Sequence, residues 1–274
     1  MSARLRLLAV PLVLTAVACR PGFQVRKFPT NQALYVASYA EFKKGKFDNA
    51  VTGFERLTLD LAARDTLLPL AHYYLGKAHD GRGEHLLAAQ SYSRIAEQFP
   101  DDTLADDALM AAGDSYLKMW RNPELDPSYG TLGQAQYRLL QSLYPDSPLS
   151  KSASEKLDAI DEEFATKDYE TGRHYVRRKA FDSAIIYFKD VVKNYPNSQR
   201  ARDAMLRMVE VYRRPEMNYK EEGAEMCAAL RAAYPGHPEV KVACPEVVAA
   251  PADSAAAKRP AADSTAKKTG KPSG

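Results

Sequence analysis

The chain has little with which to cross a membrane or to do chemistry. Its one long apolar run, Leu7 to Ala18, has twelve residues, short of the roughly 20 that a helix needs to span a bilayer. Three cysteines in 274 residues exclude a small disulfide-stapled scaffold. The formal charge of +3 sits at the two ends. Arg4 and Arg6 carry it in residues 1–18, five basic against three acidic residues carry it in 246–274, and the body is left at about −1. A body without positive excess lacks the field that neutralises phosphates, so no nucleic-acid partner is expected. Mean hydropathy is −0.43. Signatures of a serine hydrolase elbow, a zinc protease, a Walker loop or a dinucleotide fingerprint are absent from the sequence. Gly81-Arg82-Gly83 reads as a turn between helices, because no strand precedes it. Asp101-Asp102 and Asp161-Glu162-Glu163 read as helix-start charges and a solvated face. His72 and His79 are seven apart and nearly share a helix face, yet no third ligand stands at zinc spacing. No metal, no cofactor and no enzymatic activity are expected.

What is present begins with an address. Residues 1–18 combine a basic start, an apolar stretch and small closing residues, the pattern of an export signal. Ala16-Val17-Ala18-Cys19 resembles a bacterial lipobox, with Ala16 where leucine is usual. Ala-Val-Ala also satisfies the ordinary A-x-A cleavage rule, which would release a soluble product. A cysteine directly after the cleavage point, with a short tether at 19–30, favours lipidation of Cys19. Acyl chains contribute about 0.8 kcal/mol per buried CH₂, so two or three hold a protein at a bilayer. With Arg20 in place of an aspartate, the resemblance implies forwarding to the outer membrane.

The body alternates helical patterns with short breaks and shows no convincing strand run. An aromatic residue followed by proline punctuates it at Phe99-Pro100, Tyr144-Pro145, Tyr195-Pro196 and Tyr234-Pro235. Upstream of Pro100 stand Ile95, Tyr92, Ala88, His79 and Gly76, and upstream of Pro196 stand Val191, Phe188, Ala184, Tyr175 and Gly172, at identical offsets. This spacing resembles the tetratricopeptide repeat. Small residues allow close approach of two antiparallel helices, a ring fills the groove between them, and proline stops the second helix. Weaker copies pass through Ala50, Phe54 and Leu57, through Gly113, Tyr137 and Leu140 with eight extra residues around Arg121–Pro127, and through Gly223, Cys227 and Leu230.

The expected fold is therefore all-α: about five helix pairs in a superhelical array, with N-terminal repeats over 31–148, a linking helix and C-terminal repeats over 149–245, and a disordered tail over 246–274. Leu149 to Arg178 reads as one long helix or two in line. The tail holds no apolar residue larger than alanine after Val248 and cannot offset its ordering entropy. Cys227 and Cys244 are open to two readings, a disulfide pinning the last helix or two unpaired thiols.

Transfer of the repeat's inner-face offsets selects Tyr35, Tyr39, Lys43, Tyr73 and Lys77 as peptide-binding residues, and Tyr169, Arg173 and Arg177 from the fourth copy. Tyrosines beside cations suit a peptide bearing aromatic side chains and a carboxylate. The alternative is that several of these tyrosines simply pack between repeats. The lipobox, the short tether and the runs Ala33-Leu34-Tyr35, Gly45-Lys46-Phe47, Ala50, Phe54-Glu55, Tyr169, Tyr175, Arg178, Ala180-Phe181, Ala184-Ile185 and Tyr195-Pro196-Asn197-Ser198 resemble the lipoproteins of the outer-membrane β-barrel assembly machinery over about residues 19–240. That resemblance implies a non-enzymatic scaffold, lipid-anchored on the periplasmic face of the outer membrane. Its N-terminal repeats would engage targeting segments of unfolded outer-membrane proteins, and its C-terminal repeats would dock on the periplasmic domains of a BamA-like barrel component. Arg177, Arg178 and Lys179, with Tyr169 and Arg173, are the docking residues this implies. A periplasmic adaptor for cell-wall or division proteins would use the same repeats.

Overall fold

The computed structural model describes residues 23–122 and 126–245. Cys19, the export signal and the tail over 246–274 lie outside them. The chain forms two compact units, one ending at Arg207 and one starting at Met208.

The first unit is helical throughout: α1 (Asn31–Lys43), α2 (Phe47–Asp60), α3 (Leu68–Gly81), α4 (His85–Gln98), α5 (Ala105–Met119), α6 (Ser128–Leu143), α7 (Leu149–Arg177), α8 (Phe181–Asn194) and the first turns of α9 (Gln199–Tyr212). Each helix from α1 to α7 packs on the next in sequence. A 3₁₀ turn, Val25–Lys27, precedes α1, and Phe23, Val25 and Phe28 lie against the first pair, so the end of the expected tether is packed.

Two recurring devices shape the pairs. Within a pair the chain turns through a left-handed residue: Gly45 (φ 69°), Gly83 (φ 77°) and Lys179 (φ 60°). The residue after each donates its N–H back five positions, Lys46 to Glu41, Glu84 to His79 and Ala180 to Tyr175, which is the Schellman closure of a helix. Lys179 holds a position that its two counterparts give to glycine. A left-handed L-residue costs about 1–2 kcal/mol, so Lys179→Gly is expected to stabilise the chain by about 1 kcal/mol in urea unfolding. A loss of stability would show instead that the lysine side chain holds the turn.

Between pairs the aromatic-proline step stops the helix. Phe99, Tyr144 and Tyr195 take φ between −129° and −134°, and their N–H groups donate to Ile95, Leu140 and Val191. The following proline excludes its predecessor from helical geometry and offers no N–H of its own.

The second helix of each pair buries a small, a ring and an aliphatic residue at i, i+4 and i+7, one face of a helix. These are Ala50, Phe54 and Leu57, then Ala88, Tyr92 and Ile95, then Gly133, Tyr137 and Leu140, then Ala184, Phe188 and Val191. The rings lie on glycines of the first helices. A Cβ built on Gly76 would stand 2.6 Å from the Tyr92 ring, on Gly113 2.5 Å from Tyr137, and on Gly172 2.6 Å from Phe188. Glycine and ring are 16 positions apart in the second and fourth pairs and 24 in the third. The eight additional residues fall between α5 and α6, and the contact is kept. Trp120 closes the near side of that insertion: its indole Nε1 donates to the Asp126 carbonyl at 2.9 Å, and its ring lies against Gly130 and 5.1 Å from Phe164. In the first pair Ser38 takes the glycine's place and Gly53 makes room for it from the other side. The buried Ser38 hydroxyl is satisfied by the Leu34 carbonyl at 2.7 Å.

α7 is one helix of 29 residues, about 44 Å at 1.5 Å per residue. Ala153, Ile160 and Phe164 on its first half join the core of the third pair, while Gly172 on its second half receives Phe188 of α8.

The second unit holds the end of α9, α10 (Lys220–Ala233) and α11 (Pro238–Ala243). Asn218 (φ 50°) occupies the left-handed turn. Cys227 stands where the other pairs place the ring, and it is bonded to Cys244 with Cα atoms 5.3 Å apart. Arg213 clasps the same corner, donating to the Ala243 carbonyl at 2.6 Å.

Candidate functional site

The residues selected on α1 and α3 converge, and the residue that joins them, Tyr74, is one that the inner-face offsets do not select. The Tyr74 ring lies 4.8 Å from Tyr39, 5.6 Å from Phe42, 5.9 Å from Phe54 and 6.3 Å from Tyr35. Tyr73 sits 5.7 Å from both Tyr74 and Tyr92. Lys77, one turn on from Tyr73, places its ammonium 4.7 Å from the Tyr73 centroid and 5.8 Å from Tyr74. Tyr35, Tyr39, Tyr73, Tyr74 and Lys77 are half-buried, and Lys43 at the end of α1 is exposed. Burial, then a hydrogen bond with Tyr39, then neighbouring phenols push the Tyr74 hydroxyl up to about 12, and burial also raises Tyr35. Both phenols therefore stay neutral donors at ordinary pH. The face offers ring edges, hydroxyls and one ammonium, suited to aromatic side chains and carbonyl or carboxylate oxygens. At the offset of Tyr74 the first and fourth pairs carry Val36 and Glu170, so the repeat spacing does not mark it. It packs and also carries the aromatic face.

The second selected group separates into two kinds. Tyr169 is only 6% exposed. Its ring packs 5.6 Å from Phe188, with the guanidinium groups of Arg200 at 5.1 Å and Arg173 at 6.0 Å. Arg207 Nε donates to its hydroxyl at 3.4 Å. Tyr169 is thus a core residue under a cover of arginines, a correction to its reading as a surface contact. The helix face it shares with Gly172 turns inward to receive α8. Arg173 pairs with Glu170 at 2.7 Å, whereas Arg177, Arg178 and Lys179 are exposed at the end of α7 and in its turn.

Two of the histidines brace the α3–α4 turn. His79 Nδ1 lies 2.7 Å from Glu84, and His85 Nδ1 lies 2.7 Å from Asp80. Asp80 also accepts from Ser115 Oγ at 3.1 Å and Lys118 Nζ at 3.0 Å, which ties the α3–α4 turn to α5. No group of three metal-ligating side chains occurs among the described residues. Nor, among them, is any helix long and apolar enough to cross a membrane.

His72 is 7% exposed, and its Nδ1 has no hydrogen-bond partner. Burial first and the Arg94 charge second pull its pKa from 6.5 down to about 4. The folded state thus holds the ring neutral where the unfolded chain would protonate it. Its contribution is present above pH 6.5 and is lost as pH falls from 6.5 toward 4, a difference of about 3 kcal/mol at 1.36 kcal/mol per pKa unit. Replacing it, as His72→Leu, is expected to flatten the loss of stability across that window in urea titrations. An unchanged slope would assign the acid sensitivity to other groups.

Comparison with known proteins places these features in a family. The family described as "YfiO: Outer membrane lipoprotein" matches residues 29–226. The chain is 22% identical over 210 residues to the outer membrane protein assembly factor BamD of Caulobacter vibrioides, covering 75% of this chain and 66% of that one. To BamD of Xylella fastidiosa it is 23% identical over 226 residues, covering 81% and 65%. To BamD of Vibrio cholerae serotype O1 it is 30% identical over 87 residues, covering 32% and 36%. In each of these matches the chain spans less than two thirds of the relative's own length. Among solved structures, the TPR domain of P58(IPK) aligns with a TM-score of 0.41 at 13% identity, covering 78% of this chain and 54% of that chain. TTC0263, a thermophilic TPR protein of Thermus thermophilus, aligns with a TM-score of 0.35 at 15% identity, covering 78% and 96%. With the family's match extending over most of its length, including the tyrosine face of α1 and α3, the chain belongs to the YfiO family of outer membrane lipoproteins.

Proposed function

We propose that the chain is a non-enzymatic scaffold of outer-membrane β-barrel assembly, anchored by lipid at Cys19 on the periplasmic face of the outer membrane. The convergence of Tyr35, Tyr39, Tyr73, Tyr74 and Lys77 on one surface carries this reading. The N-terminal repeats, residues 31–148, take the targeting segment of an unfolded outer-membrane protein against that surface, with Lys43 at its edge. Aromatic side chains of the segment meet ring edges and faces, and its carboxylate meets the ammonium groups. The C-terminal repeats, residues 149–245, dock on the periplasmic domains of a BamA-like barrel component. The exposed basic corner Arg177, Arg178 and Lys179 makes that contact, with Arg173 beside it.

The work done is positional. A weakly held segment, kept beside the insertion site by a tethered scaffold, experiences a raised effective concentration there. No covalent step is required of any side chain.

Photo-crosslinkers placed at Lys43 and at Arg178 in intact cells test both halves. Adducts with unfolded outer-membrane proteins from the first position and with a barrel protein bearing periplasmic domains from the second are expected. Recovery of cell-wall hydrolases or division proteins in their place would overturn the assembly reading in favour of the adaptor.

A further inference from the structure

On the opposite side of α3 from the tyrosine face lies a second concavity that the proposed function does not use. At about 100° per residue, Tyr73, Tyr74 and Lys77 share one side of this helix, while Leu68, His72 and Leu75 share the other. There α2 and α4 form the walls and α3 the floor of a cleft of about 400 Å³, within the range of sites that seat small ligands or a few side chains. Leu61, Leu68 and Leu75 make the floor apolar, and each is nearly buried. The His72 ring lines it as well, uncharged at neutral pH and with Nδ1 unpartnered. At the lip stands Leu59, 79% exposed, near the end of α2.

Charge at this cleft has one sign left over. Arg94 on the α4 wall is exposed, and among the described residues its guanidinium has no ion-pair partner. The nearby arginine of α2, Arg56, is already paired with Asp60 at 2.6 Å. An uncommitted guanidinium beside an apolar seat is complementary to a carboxylate placed next to an aliphatic side chain. The volume admits a few side chains and is too small for a helix face, which favours an extended segment.

We propose that this cleft is a second docking site, for an extended acidic peptide segment of a partner protein. A leucine-like side chain fills the floor against Leu61, Leu68 and Leu75, Leu59 folds over it, and the adjoining carboxylate rests on Arg94. A single helix, α3, then carries two recognition surfaces back to back. This site stands independently of the tyrosine face, and either can fail without the other.

The test uses the full chain in detergent and a fluorescein-labelled peptide Gly-Ser-Leu-Glu-Leu-Glu-Ser-Gly, read by polarisation. The peptide is expected to bind. Arg94→Glu and Leu59→Asp, both at exposed positions, are each expected to raise Kd on the order of tenfold. Lys189→Glu, the same charge change on exposed α8 surface, leaves Kd unaltered. Peptides with lysine for glutamate or serine for leucine should bind poorly. Absence of binding, equal binding of the lysine peptide, or indifference to Arg94→Glu overturns the proposal. Self-association by sedimentation that Leu59→Asp abolishes would assign the cleft to a second copy of the chain, and overturns it too.

Discussion

Phe188→Ala is expected to destabilise the first unit by about 3–5 kcal/mol, the cost of removing a fully enclosed ring. The residue is 0% exposed and lies against Gly172 and Tyr169 of the neighbouring helix. The reciprocal change is the sharper test. A methyl group on Gly172 would stand 2.6, 2.8 and 3.0 Å from Cε1, Cδ1 and Cζ of Phe188. The ring has no solvent-facing direction in which to retreat, so Gly172→Ala should cost about 1–3 kcal/mol through overpacking. Combining it with Phe188→Leu, which shortens the ring to a branched chain, should cost less than the sum of the two by more than about 0.5 kcal/mol. Urea unfolding followed by far-UV circular dichroism gives all four corners of the cycle. If Gly172→Ala were neutral, the ring would have room that the geometry denies it, and close glycine-ring contact would not be what sets the spacing within the pairs.

The second large effect belongs to the other unit. Removing the Cys227–Cys244 bond, which joins residues 17 apart, is expected to cost about 3 kcal/mol, the chain-entropy value for a loop of this size. In the first unit the buried rings Phe54, Tyr92, Tyr137 and Phe188 perform the task that falls here to Cys227. Without the bond a small side chain is left where its counterparts fill the groove. Hydrogen exchange on a Cys227→Ser, Cys244→Ser variant should show faster exchange over α10 and α11, with α1 to α6 unaffected. Protection unchanged at Leu230 and Val240 would mean that Arg213 and its bond to Ala243 hold the corner unaided.

The pairing of helices was legible from spacing, because a close contact between two helices fixes residue types at both partners at once. Gly76 with Tyr92 and Gly172 with Phe188 carry identical offsets, and Gly113 with Tyr137 differs by an insertion whose polar and proline-rich composition announces it. A run with no breaker left one long helix or two in line, and α7 is the former. The selected tyrosines were less legible. Which way Tyr74 or Tyr169 points depends on how a neighbouring pair sits against its helix, and that relation leaves no periodic trace in the helix itself. Tyr169 shares a helix with exposed arginines and still turns inward, because Gly172 one turn away calls α8 onto that side. Lys179 was visible only as a charge, although its backbone conformation is that of the glycines at the matching turns. The partnering of His79 with Glu84 and His85 with Asp80 crosses a turn whose geometry had to be seen.

Trp120 has a use beyond closing the insertion between α5 and α6. It is the chain's only tryptophan, and it touches α6 at Gly130 and α7 at Phe164. Fluorescence excited selectively at tryptophan is therefore an optical reporter planted at one junction, blind to the unit that begins at Met208. Emission wavelength follows the parting of three particular helices, whereas ellipticity sums over all of them. Two spectroscopic signals that fail to coincide on the same sample would reveal whether the units melt together, without any label being attached.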